Sequence, residues 1–126
     1  VASALVDLAF HEGEAPADPM QKQAEVLEEL GMPQAIRMRH ATPHFAHVFS
    51  GDGYSAGYYS YMWSEVMDAD AFAAFRETSL FDRQTAAAFR ENILEKLGTD
   101  DAMKLYKRFR GREPVIDPFL ERNGLH

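Results

Sequence analysis

The sequence predicts an all-α, mainly helical chain with one small extended element around residues 36–48. Three observations predict it. Acidic N-cap residues precede apolar runs at Asp18, Asp82 and Asp100 or Asp101. Glycines close those runs at Gly31, Gly98 and Gly111. Apolar residues recur at helical spacing over most of the chain.

In order, Ala2–Phe10 reads as a helix with Leu5, Leu8 and Ala9 on one side, and Asp7 interrupts its apolar run. It looks like the tail of a helix that begins upstream, so a piece of a longer chain is expected. Asp18-Pro19 starts a second helix, because an acid caps it and Pro suits the first helical position. Met20, Ala24, Leu27 and Leu30 form its expected apolar stripe, and Glu25, Glu28 and Glu29 its solvated face. Ile36–His40 alternates like a short strand, and Pro43 separates it from a looser alternation over His44–Phe49. A central helix is expected from about Ser55 to Asp68, with a break at Asp68-Ala69-Asp70. Asp70 would then cap a second piece over Ala71–Glu77. Asp82 opens Arg83–Leu97, with Ala86, Phe89, Ile93 and Leu97 as its stripe. The next helix carries Met103, Tyr106 and Phe109 and ends at Gly111. Asp117-Pro118 begins a last short one, and Gly124 stops it.

At 126 residues the chain reads as one domain over 1–126, long enough to bury a core. Its net charge of −7 counts against nucleic acid or an anionic membrane as partner. The absence of cysteine excludes disulfides and thiolate metal sites, and fits a cytoplasmic protein. The first ten residues lack a basic flank and are too short to span a membrane.

One stretch, Gly51–Trp63, concentrates the unusual residues: three glycines, four of the five tyrosines and the one tryptophan. Tyr54, Tyr58 and Tyr61 stand at i, i+4 and i+7 and so share a helix face. Tyr59, Met62, Trp63 and Val66 repeat that spacing on another face, which reads as core. Converging phenols can donate hydrogen bonds to a peptide backbone or an oxyanion. Tyrosines that simply pack with their hydroxyls at the surface would give the same spacing. Gly51 and Gly53 would allow a backbone to approach closely.

Other chemistries find less support. His11-Glu12 lacks a second histidine four residues on, where Ala15 stands. His40 and His44 are four apart, but Pro43 lies between them. Gly51-Asp52-Gly53 precedes a helix, yet its acid would repel a phosphate.

The run His47-Val-Phe-Ser-Gly-Asp-Gly-Tyr-Ser-Ala-Gly-Tyr-Tyr-Ser-Tyr-Met-Trp63, continued to Phe72, strongly resembles the C-terminal region of the M3 family of zinc metallopeptidases, which are oligopeptidases and peptidyl-dipeptidases. The resemblance extends through Phe81-Asp82, Phe89-Arg90 and Leu105–Pro114 to Leu120–Leu125, and less specifically over Val1–Pro33. It implies the substrate-cleft lobe of a larger helical peptidase acting on short peptides. By the motif, Tyr61 matches the tyrosine that donates to the oxyanion, Tyr54 and Tyr58 match substrate-contacting phenols, and His47 matches the histidine that assists binding. The loop Phe49-Ser50-Gly51-Asp52-Gly53 is longer than its family counterparts, which weakens the His47 correspondence most.

The family's zinc motif, His-Glu-x-x-His with a further Glu, lies upstream of the matched region and is absent from this sequence. The resemblance therefore implies zinc in the intact enzyme, no metal held by this chain, and no activity alone. The missing zinc-binding portion would be its partner, and exposed apolar surface would favour self-association. The alternative is a stand-alone, non-catalytic helical module that binds peptides.

Overall fold

The structure, a computed structural model, describes residues 1–125. Among them the regular elements are helical: α1 (Ala2–His11), α2 (Pro19–Glu29), a 3₁₀ turn (Thr42–His44), α3 (Ala46–Phe49), α4 (Ser60–Glu77), α5 (Arg83–Phe89), α6 (Ala102–Arg110) and α7 (Asp117–Arg122). The all-α expectation holds. The chain forms two compact units, Val1–Met62 and the part from Trp63 onward.

In the first unit, Val6, Val26, Met38, Phe45 and Val48 make the core. Asp18 caps α2 as expected, accepting from the amides of Met20 and Gln21. The stripe on α2 is different from the expected one. Val26 and Gln23 are buried, whereas Met20, Ala24 and Leu30 are exposed. Gln23 tolerates burial because its carbonyl oxygen accepts from both the amide and the hydroxyl of Thr42, at 2.7 and 2.9 Å.

The extended element around residues 36–48 is not formed. Pro43 sits in the first turn of the 3₁₀ helix, where its missing N–H costs nothing. Phe45 and Val48, three apart, point the same way into the core, which is a helical spacing and not an alternation.

The central helix also departs from expectation. It starts at Ser60, not near Ser55, and runs unbroken through Asp68-Ala69-Asp70. Tyr59 and Trp63 are more than half exposed, so of the face read as core Val66 alone is fully buried. Asp70 caps nothing. It is buried in the second unit, where its carboxylate accepts from the Tyr106 hydroxyl at 2.5 Å and from two Arg112 nitrogens at 2.6 and 2.9 Å. Arg110 donates to the Asp70 carbonyl and pairs with Glu77.

Asp82 and Asp101 cap α5 and α6 through the amides of Thr85 and Lys104. Gly111 ends α6 in the left-handed conformation, at φ 76°. Asp117 stands inside the first turn of α7 with no side-chain cap bond. Beyond Phe89 the helix widens, as the amide of Glu95 bonds to the carbonyl of Arg90 five residues back. That change of pitch rotates Leu97 to the surface, where it is 74% exposed, and the straight stripe through Ala86 and Leu97 is lost. Phe89 keeps edge contacts with Phe75 and Phe109, at 6.2 and 5.2 Å between ring centres.

Burial pushes the Asp70 carboxyl up, but the Arg112 and Tyr106 hydrogen bonds and the two guanidinium charges outweigh it and hold it below the usual carboxylate range. A carboxyl depressed in the folded state stabilises above its unfolded value of about 3.9, and that contribution fades as pH falls through the folded value. Asp70→Asn should destabilise by about 1–3 kcal/mol at neutral pH, because the Tyr106 hydroxyl and the guanidinium of Arg112 lose part of a buried anionic acceptor. Urea unfolding followed by circular dichroism should show parent stability falling as pH drops below about 5, with a shallower fall in Asp70→Asn.

Candidate functional site

The stretch leading to the tyrosines is a series of tight turns. The amide of Gly57 bonds to the Tyr54 carbonyl at 2.8 Å, that of Ser60 to Gly57 at 3.0 Å, and that of Tyr61 to Tyr58 at 3.3 Å. These are i→i+3 bonds with three residues per turn, so side chains three apart eclipse. Tyr58 and Tyr61 consequently meet at 5.0 Å between ring centres, their planes tilted by 56°. Tyr54 lies almost parallel to Tyr61, at 5.6 Å and 4°. The shared tyrosine face is real, although a tight turn builds it and not the expected helix.

His47, on α3, joins the same cluster. Its ring is 5.9 Å from Tyr54 and 6.2 Å from Tyr58. Phe45, in the core, supports Tyr58 edge-on at 4.9 Å. The structure thus brings together His47, Tyr54, Tyr58 and Tyr61. Gly51 and Gly53 lie in the exposed turn before Tyr54 and open onto empty space. Ala56 has a positive φ of 54°, a conformation that costs a non-glycine residue about 1 kcal/mol or more.

Two residues that the sequence reading did not assign complete the site. The Tyr58 hydroxyl is 3.2 Å from His40 Nε2, and His40 lies flat on Phe45 at 5.1 Å and 10°. Asp7 is fully buried; its two carboxylate oxygens accept from the amides of Ala56 and Tyr58 at 3.0 and 2.9 Å. One signal for Asp7 was present: an acid standing inside the apolar run of α1. The sequence marked His40 only as one half of the His40–His44 pair.

Tyr54 is 38% and Tyr61 45% exposed, so both hydroxyls can meet a ligand. The Tyr54 phenol facing it, and then loss of water, push the Tyr61 hydroxyl above the usual phenol range. Tyr61 therefore keeps its proton at neutral pH and remains a donor. A surface of fixed, protonated phenols can hydrogen-bond a peptide carbonyl or a developing oxyanion.

A catalytic zinc ion needs three protein ligands and an open position. Among the described residues no group of three or more His, Cys, Asp or Glu is placed to hold a metal. His40 and His47, 5.9 Å apart between ring centres, make only two. The described residues do not by themselves make up a catalytic zinc site. Among the described residues no helix is long and apolar enough to cross a membrane.

A family model described as Peptidase family M3 matches residues 1–125. Oligopeptidase A of Escherichia coli is 43% identical over 96% of this chain, and that of Salmonella typhimurium 51% identical over 96%. Dipeptidyl carboxypeptidase of Escherichia coli is 37% identical over the whole chain. The chain spans only 18% of the length of either oligopeptidase A and 19% of the dipeptidyl carboxypeptidase.

Proposed function

The chain belongs to peptidase family M3, and on that premise we propose that it supplies the phenol-bearing wall of a peptidase site acting on short peptides. The zinc ligands of that site would come from outside this sequence. The convergence of His47, Tyr54, Tyr58 and Tyr61 on one partly exposed surface carries the reading.

Negative charge gathers on a peptide carbonyl oxygen as water adds to the carbon. Tyr61 donates its hydroxyl hydrogen to that oxygen. Tyr54, stacked on Tyr61, keeps it protonated and presents a second hydroxyl. Tyr58 and His47 line the same surface, where they contact the substrate backbone. This chain has no His-Glu-x-x-His segment, so it binds peptide without cleaving it when alone.

In an intact M3 peptidase carrying this segment, Tyr61→Phe should lower kcat by about 10²–10³ while KM changes little, the cost of one oxyanion donor. Steady-state rates on a fluorogenic peptide measure this, and equal rates would remove the role. Large apolar side chains such as Ile36, Trp63, Phe81 and Leu97 stand exposed. We infer that they are contact surface for the rest of the enzyme, and that the isolated chain self-associates. Sedimentation velocity should show species larger than the monomer at raised concentration; a monomer throughout would contradict it.

A further inference from the structure

Asp7 is an expensive residue to bury. A carboxylate taken out of water is costly unless its oxygens are hydrogen-bonded, and α1 would pack at least as well with an apolar side chain there. Asp7 is nonetheless fully buried, and both oxygens are used. Oδ1 accepts from the amide of Ala56 and Oδ2 from that of Tyr58, so the carboxylate bridges the Ser55–Ala56 and Gly57–Tyr58 peptide planes. His11 Nδ1 lies 2.7 Å from the Asp7 carbonyl oxygen and 2.9 Å from Oδ1, which fixes the carboxylate in turn.

The clamp falls where the backbone is most strained. Ala56, at φ 54°, is the one non-glycine residue with positive φ among the described residues. The Tyr58 amide sets the direction of the Tyr58 side chain, and Tyr61 follows one tight turn later. Tyr54 is tied to the same unit by the Gly57 amide, which bonds to its carbonyl.

We propose that Asp7 is the positioning residue of the phenol cluster, its carboxylate clamping the Ala56 and Tyr58 amides so that Tyr54, Tyr58 and Tyr61 point together. Its functional meaning rests on the reading of those phenols as substrate donors. Its physical content does not, and can be tested alone.

Asp7→Asn keeps the volume but replaces one acceptor by an NH₂ group that faces an N–H. In this chain labelled with ¹³Cζ-tyrosine and ¹⁵N, the variant should exchange the amide of Ala56 or Tyr58 about tenfold faster or more. The Tyr61 ring should lose its close contact with Tyr54, and its phenol should titrate nearer the ordinary value. Unchanged amide protection together with an unchanged Tyr61 titration overturns the proposal. Should the variant fail to fold, the parent decides: the Ala56 and Tyr58 amide shifts must follow the Asp7 carboxyl as it is protonated, and amides indifferent to Asp7 overturn it. A Tyr61→Phe enzyme with full rate would remove the substrate role while leaving this result standing.

Discussion

A buried carboxylate on α1 holds two backbone amides 49 and 51 residues further along the chain. The rest of the first unit is arranged around that pair of bonds. They hold in place a turn that would otherwise be free to relax Ala56 out of its left-handed conformation. They also bring the tyrosine stretch against the core, where Phe45 meets Tyr58. The two bonds have ordinary lengths, 3.0 and 2.9 Å, and leaving either buried group unpaired would cost about 1–3 kcal/mol. Two such bonds can therefore outweigh the strain at Ala56 and still leave the phenols facing outward.

The second unit uses the same device with different donors. Asp70 is also a buried acid, and it gathers Tyr106 and Arg112 through its carboxylate and Arg110 through its carbonyl. Desolvation and the Asp70 charge push the Tyr106 phenol up, which keeps its O–H as a donor in this network. The opposite ends of this unit's sequence are joined less firmly: Arg122 reaches Asp68 at the surface, where such a pair contributes little.

What was legible in the sequence was local. Asp18, Asp82 and Asp101 cap helices because an N-cap oxygen reaches amides two or three residues away. Gly111 ends a helix because glycine adopts the left-handed conformation without strain. Asp70 looked identical to those caps in sequence, and its Arg112 and Tyr106 partners lie 42 and 36 residues away. The alternation at residues 36–48 misled for a related reason: the burial of Met38, Phe45 and Val48 depends on the core formed with α1 and α2. In the site, the tyrosine spacing was legible and its scaffold was not. A helix places residues i, i+4 and i+7 together, and successive three-residue turns bring the same phenols together by another route. The family resemblance covered the chain that the M3 model matches, but resemblance alone did not point to Asp7 or His40.

In the proposed function, Tyr61 serves the charge that develops on a peptide carbonyl and not the peptide at rest. Interactions made only in the transition state separate from uniform binding when an analogue of each is compared. The direct measurement is the affinity of an intact M3 peptidase carrying this segment for a tetrahedral phosphinic peptide and for the matching uncleaved peptide, in parent and Tyr61→Phe forms. The phosphinic peptide should lose about a hundredfold in affinity while the uncleaved peptide is nearly unaffected. Equal losses for both, or none for the phosphinic peptide, would contradict it.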